Sequence, residues 1–348
     1  MPGPQKIMKK MTAAGTLPPF LSLFFFILLL FSNPLPVSSV RCNKDDKKAL
    51  LGIKAAFNNG DHFASWTEES SCCEWYSVIC DAESGRVMEL NIFDADFAGS
   101  IPAAIGDLSY IHSIVFYKLP NVVGPMPSAL AKLKNLVYLT IRETNISGPV
   151  PDFLSELTAL NQIDLSFNRL SGSIPSSLGD LHNLTSLDLS GNQLSGTIPP
   201  SLFQKITMKE PPSLRLSHND LTGEIPPAFG KVGFFEIDLS QNRLTGDGSL
   251  LFGRSKPTSK IDLSRNQFEF DLTHVEFPEA INVVNLNENR IHGSIPAQIT
   301  KLENLQHLNV SHNDLSGQIP SGGEMGRFDE SRFLQNTRLC GKPLPLCK

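Results

Sequence analysis

No cysteine occurs between residues 81 and 339 of this 348-residue chain. All six lie near the ends, as Cys42, Cys72, Cys73 and Cys80, then Cys340 and Cys347. The long middle must therefore fold on its apolar residues alone, and these make up 41% of the sequence. No His stands at ligand spacing beside Cys72–Cys80, which speaks against zinc. An even cysteine count confined to the termini reads instead as disulfides formed in an oxidising compartment. Four cysteines allow three pairings, and adjacent residues reach disulfide geometry only with strain. Cys42 with Cys72 and Cys73 with Cys80 are the favoured pairs, together with Cys340 and Cys347.

Long apolar runs are missing too. The stretch "FLSLFFFILLLF" at 20–31 is shorter than the roughly 20 residues a membrane span needs. Lys6, Lys9 and Lys10 precede it and the small residues of "PVSSV" follow. That order is the one of a secretory signal peptide, with cleavage expected near Ser39. The chain also lacks excess positive charge: 30 basic groups face 35 acidic ones, a net −5. Without the leader's three lysines, 27 face 35 and the net charge is −8. An acidic surface disfavours nucleic acid, whose phosphates need Lys and Arg, and suits a partner that is at least locally basic. The mature chain is expected to be secreted, without a membrane span.

What the sequence has in abundance is one phrase, seen as "IDLSFNRLSGSIP" at 163–175 and "LDLSGNQLSGTIP" at 187–199. Aligning on the Gly of "LSG" gives ten units, with Phe270 in place of that Gly in the eighth. The residue four places earlier is Ala95, Pro120, Thr144, Asn168, Asn192, Asn219, Asn242, Asn266, Asn289 or Asn313, at steps of 23 to 27. L-x-L-x-x-N with a period near 24 is the leucine-rich-repeat signature. Alternation within L-x-L sends Leu187 and Leu189 inward and Asp188 outward. One unit cannot bury its own apolar face, but stacked units share a core. The recurring Asn turns inward, where its amide can satisfy backbone groups that water cannot reach. Pro175 and Pro199 carry the chain across the other side. The expected fold is an α/β solenoid, a right-handed leucine-rich-repeat superhelix with a parallel sheet on its concave face. Residues 1–39 read as signal peptide, 40–86 as N-terminal cap, 87–320 as ten repeats and 321–348 as C-terminal cap. Within the first cap, 45–57 reads as a helix with Asp45 or Asp46 as N-cap and Leu50, Ile53 and Phe57 facing in. The seventh and eighth units lose "IP" and read "GDGSLLFG" and "FEFDLTHVEFP", so the convex side must differ there.

The outward strand positions form a polar, mainly acidic wall, interrupted by Tyr117, Tyr138, Phe167 and arginines. Aromatic and Arg groups set among smaller polar ones are the usual composition of interface anchors. Asp238 and Asp262 occupy equivalent positions in successive units, a spacing that resembles the carboxyl pair of retaining glycosidases. Asp164 and Asp188 occupy that position as well, so the repeat itself generates the pair, and His218 has no nucleophile partner. Neither catalytic residues nor a cofactor or metal is expected. Asn145, Asn183 and Asn309 begin N-x-S/T sequons and are candidate glycan sites; a glycan on Asn309 would mask one end of the concave face.

Several segments resemble the plant polygalacturonase-inhibiting protein family. They are "CNKDDKKALLGIKAAF", "CCEWYSVIC", "FYKLPN", "VPDFLSELTALNQIDLSFN", "KIDLSRNQFEFDLTHVEFP" and "GGEMGRFDESRFLQNTRLCGKPLPLC". Together they extend the resemblance over residues 41–347. It implies a monomeric cell-wall protein of plant defence that inhibits fungal or insect endopolygalacturonases by covering their substrate cleft, with pectin as a further partner. It implies contact through concave positions, here Tyr117, Lys118, Arg142, Phe167, Asp188, Arg215, His218, Gln241 and Asp262. The family usually carries eight cysteines; the two further places here hold Ser316 and Arg338, which implies a looser C-terminal cap. The rival reading is a secreted interaction module of signalling or development, with a receptor or peptide partner. Ice binding would need a flat, regular, Thr-rich face, whereas these positions are charged and varied.

Overall fold

The computed structural model describes residues 41–348 apart from 59 and 208, so the expected signal peptide at 1–39 lies outside the described residues. Helix α1 (Lys44–Ala56) opens the fold. Its N-cap is Asn43, whose side chain accepts from the backbone N–H groups of Asp45 and Asp46 at 2.9 and 3.4 Å. The cap thus falls ahead of the expected Asp45 or Asp46, because the Asn side chain already takes the free N–H groups of the first turn. Asp46 is engaged elsewhere: its carboxylate, fully buried, accepts from Arg86 Nε and Nη2 and from the N–H of Val87. That fork ties the helix to the first strand of the stack. Leu50, Ile53 and Phe57 are buried, and the helix packs on the turn Ala103–Asp107. Strand β1 (Val78–Cys80) pairs antiparallel with β2 (Val87–Phe93) and closes this end.

From there the chain winds as a solenoid. On one side β2 is followed by β3 (Ser113–Gly124), β4 (Tyr138–Pro149), β5 (Gln162–Asp164), β7 (Ser186–Asp188), β9 (Ser213–Arg215), β11 (Glu236–Asp238), β13 (Lys260–Asp262), β15 (Val283–Asn285) and β17 (His307–Asn309). These ten strands run parallel, each paired to the next. The register is set by the apolar position: Leu139, Ile163, Leu187, Leu214, Ile237, Ile261, Val284 and Leu308 are matched across neighbours and buried. A slip by one residue would expose the whole row, so burial enforces it.

The "LSG" segments do more than turn. They form a second parallel set at the flank: β6 (Arg169–Gly172), β8 (Gln193–Gly196), β10 (Asp220–Glu224), β12 (Arg243–Gly246) and β14 (Gln267–Phe268), continued by β16 (His292–Gly293), β18 (Asp314–Gln318) and β19 (Arg338–Cys340). Short 3-10 turns such as Ser176–Asp180 and Ala297–Lys301, each entered through a Pro, make the convex side. Successive turns approach closely: a Cβ on Gly179 would stand 2.6 Å from the Ser201 carbonyl oxygen.

Between the two strand sets runs the Asn ladder. Asn242 Nδ2 donates to the carbonyls of Leu216, Leu239 and Ser240, and its Oδ1 accepts from the N–H of Leu221. Asn192, Asn219, Asn266, Asn289 and Asn313 repeat this pattern. Each amide closes its own turn and reaches its neighbour, which is why Asn recurs where Asp or Gln would leave groups unpaired. The ladder runs one rung further than the sequence repeat suggested, to buried Asn336 in the C-terminal cap. At the other end Leu119 takes the rung assigned to Pro120, being matched to Thr144; a register shift follows before Val123 pairs with Asn145. The extra residue of "KLPN" is absorbed as a bulge.

The irregular seventh and eighth units fill the convex side with rings. Phe252 packs edge-on to Phe277 at 5.4 Å and lies 6.4 Å from Phe270. Disulfides join Cys42 to Cys72, Cys73 to Cys80, and Cys340 to Cys347. Among the described residues no helix is long and apolar enough to cross a membrane.

Candidate partner-binding face

Outward residues of the ten parallel strands fall into rows because the register is uniform. Asp164, Asp188 and Arg215 share one row, and Asp238, Asp262, Asn285 and Asn309 continue it. Phe93, Tyr117 and Arg142 share the next. Beyond it the chain takes a left-handed residue before each rung of the ladder. Lys118, Phe167, His218 and Gln241 sit there, with φ between 53° and 56°. The residues expected at the interface therefore all project from one sheet face or its rim, although they form separate clusters.

The first cluster is aromatic and cationic. The Arg142 guanidinium lies 5.3 Å from the Tyr117 ring and 5.9 Å from that of Phe167, and Lys118 stands 5.3 Å from Tyr117. Arg142 also bonds Glu143 at 3.0 Å and faces Asp164 at 3.6 Å. Phe167 is half exposed. It keeps its place because the next unit has Gly191, where a Cβ would come within 2.7 Å of the ring. Two members were missed from the sequence. Phe93 precedes Tyr117 in its row, and Tyr76 stands 6.1 Å from it in an edge-on contact. The signal was the spacing of Phe93 before Asp94, the same as that of Tyr117 before Lys118.

The second cluster is a chain of ion pairs. Arg215 bridges Asp188 (3.8 Å) and Glu236, and Lys260 bridges Glu236 (2.9 Å) and Asp238 (3.2 Å). Burial works to raise Glu236, but hydrogen bonds from Arg215 and Lys260 outweigh it and hold the carboxyl below its ordinary value. Asp188 goes the other way: burial raises it, against hydrogen bonds from Ser190 and the charge of Arg215. The third cluster is a His218–Gln241 contact of 2.7 Å. Asp262 stands apart from these and pairs with no cation among the described residues. Burial and the neighbouring Asp238 charge push it up, while Ser264 and Asn285 donate to it.

The repeated aspartates have a structural task. Asp164, Asp188, Asp238 and Asp262 each accept from the N–H and hydroxyl of the Ser two residues on. One oxygen of every carboxylate is thereby fixed at its strand end, and the resemblance of Asp238 and Asp262 to a glycosidase pair dissolves into the repeat. The sequon residues lie apart. Asn145, within β4, donates to the Pro120 carbonyl; Asn183, in a turn, donates to that of Thr158; Asn309 lies on β17.

A stacked parallel sheet with a polar, aromatic-studded concave side defines a leucine-rich-repeat binding protein. Family models agree: a leucine rich repeat N-terminal domain matches residues 43–81, and leucine rich repeats match 127–194, 213–232 and 304–324. The chain is 55% identical to a polygalacturonase inhibitor of Pyrus communis, over 94% of this chain and 98% of that one. It is 57% identical to polygalacturonase inhibitor 2 of Arabidopsis thaliana, over 92% and 98%. Among solved structures, a plant ice-binding protein superposes with a TM-score of 0.86 at 44% identity, covering 88% of this chain and 99% of that one. The chain belongs to the polygalacturonase-inhibitor family of leucine-rich-repeat proteins, which are binding proteins and not enzymes.

Proposed function

We propose that this protein is secreted to the plant cell wall and there inhibits fungal or insect endopolygalacturonases, gripping them through its concave face as a monomer, with pectin as a further partner. Membership of the inhibitor family supports the target, and the Tyr117–Arg142–Phe167 cluster supports the surface. Aromatic and Arg side chains, half desolvated and held by one another, are the groups that carry most binding energy at protein interfaces. The neighbouring ion-pair chain presents alternating charge and sets specificity more than strength. The charged, varied rows disfavour the ice-binding reading that the structural neighbour raises.

The test is a panel of fungal and insect endopolygalacturonases assayed for pectate cleavage with the purified protein. At least one should be inhibited, and Arg142→Ala combined with Phe167→Ala should weaken inhibition about a hundredfold, as loss of two interface anchors does, with the melting temperature retained. Inhibition of none, together with capture of a plant receptor or peptide, would replace this reading with the signalling one. Mass mapping of Asn145 and Asn183 for glycans, and N-terminal sequencing for cleavage near Ser39, test secretion directly.

A further inference from the structure

At the far end of the concave face a cavity of 470 Å³ opens between β17 and the C-terminal cap. Its volume is in the range of ordinary ligand sites. Gln306, His307 and Asn309 line one wall, and Arg327, Asp329 and Arg332 line the other. Two observations make it different from the rest of the face.

The first is charge. Along the middle of the concave side Arg215 and Lys260 are spent on neighbouring carboxylates. Here the Arg332 side chain makes no hydrogen bond or ion pair among the described residues, and it is exposed. Arg327 is steadied by the Leu305 carbonyl and Glu324. The acid on this wall, Asp329, accepts from the N–H and hydroxyl of Ser331 through one oxygen and lies near enough to Arg332 to feel its charge, but makes no ion pair with it. The second observation is an open sheet edge. β17 is the last strand of the concave sheet, and no strand pairs with its outer side among the described residues. The cap touches this backbone on either side of β17, through Arg327 at the Leu305 carbonyl and through the Val310 N–H, which donates to the Arg332 carbonyl. The His307 N–H donates to Asn282 and the Asn309 carbonyl accepts from Leu286, so it is Leu308 whose N–H and C=O face the open edge, beside the Arg332 guanidinium.

We propose that this cavity binds an extended peptide carrying a carboxylate, which adds a short strand to β17 and places its acid on Arg332 and Arg327. A strand edge pairs with peptide N–H and C=O groups in alternation, which a polysaccharide cannot match, and an Arg fork takes a carboxylate bidentately. The site is independent of the polygalacturonase reading: it lies beyond the aromatic and ion-pair clusters and uses none of their residues. It requires Asn309 to be unmodified, since a glycan there would stand in the cavity.

Calorimetry on the full secreted protein with three acetylated peptides tests it. Acetyl-Val-Thr-Val-Asn with a free carboxylate, or acetyl-Val-Thr-Val-Asp-amide, should bind, and whichever is tighter identifies a chain terminus or a side chain as the source of the acid. The neutral acetyl-Val-Thr-Val-Asn-amide should bind at least about tenfold more weakly, as loss of a charge-assisted pair does. Arg332→Ala and Arg332→Gln should each weaken the acidic peptides about tenfold, while amide exchange at Leu308 slows only in the complex with the parent protein. Equal binding of acid and amide, binding of none of the three, trigalacturonate binding in their stead, or a glycan found on Asn309 would each overturn the proposal.

Discussion

At position 191 the row of left-handed residues holds a glycine, and backbone freedom is not the reason. His218 and Gln241 take the same conformation with full side chains. The reason is the Phe167 ring, which fills the space a Cβ would need. Gly191→Ala should push an exposed ring aside at about 1 kcal/mol or less for an off-rotamer side chain, on top of the about 1 kcal/mol that a Cβ costs at the left-handed φ of this position. Urea titration should show a loss of about 1–2 kcal/mol, while affinity for an inhibited polygalacturonase falls. Asp262 allows a sharper test. Its folded pKa is raised by burial and by the Asp238 charge, so its ionised form disfavours the fold. The stabilising contribution of its proton is complete below the unfolded value and is lost as pH rises through the folded one. Asn at this position is compatible with the fold, since Asn309 does the same task in its own unit by accepting from Ser311. Its Nδ2 would replace the oxygen that now accepts from Asn285, so the Asn285 amide turns over and accepts through its unpartnered Oδ1. Asp262→Asn should raise the melting temperature at pH 7, and the gain should vanish below about pH 4, where the parent carboxyl is protonated in both states.

The ladder and the caps are questions of elements. Asn242→Ala removes three donated bonds and one accepted bond and leaves buried carbonyls without donors. A loss of about 3 kcal/mol follows if water repairs part of the damage, readable as a lower urea midpoint. At the C-terminal cap, Ser316 and Arg338 are direct register partners on parallel strands. The present link is an exposed Arg338–Asp314 pair at 3.1 Å, which contributes little. Ser316→Cys with Arg338→Cys should form a bridge and add about 2 kcal/mol; an oxidised double variant that melts no higher would show that this cap is not the weak element. Much of this layer was legible. L-x-L-x-x-N pointed to the strands, their inward rows and the ladder from Asn168 to Asn313, because burial and amide chemistry tolerate few substitutes there. Asn336 was hidden because its unit sits inside the cap and keeps only the end of the phrase, and Leu119 because a bulge moved the rung by one residue. The "LSG" strands were invisible for another reason: their pairing uses backbone groups, and Ser and Gly leave no apolar alternation to read. Phe93 went unnoticed because the first unit has Ala95 where its rung should be.

Across the whole molecule the stack is nearly one-dimensional, so each unit is held by its two neighbours and the ends decide where opening starts. The two ends are not held alike. The N-terminal cap has the Cys42–Cys72 link across 30 residues, the buried Asp46–Arg86 fork and a helix packed on the turn Ala103–Asp107. The C-terminal bridge, Cys340–Cys347, closes only its own short loop, a separation of 7 residues, and does not cross to the last repeat. No disulfide joins β18 to β19 among the described residues, and β17 has an uncovered edge. Local opening should accordingly begin at the C-terminal end and spread inward. Hydrogen exchange should show faster amides for Leu308–Leu315 than for the matched Leu187–Leu194, although both stretches have the same ladder bonds. The engineered bridge of the Ser316→Cys, Arg338→Cys variant should slow the first stretch and leave the second unchanged. Opening that begins instead at β2, or uniform exchange along the stack, would mean that the staples at the N-terminus do not set the order in which the solenoid comes apart.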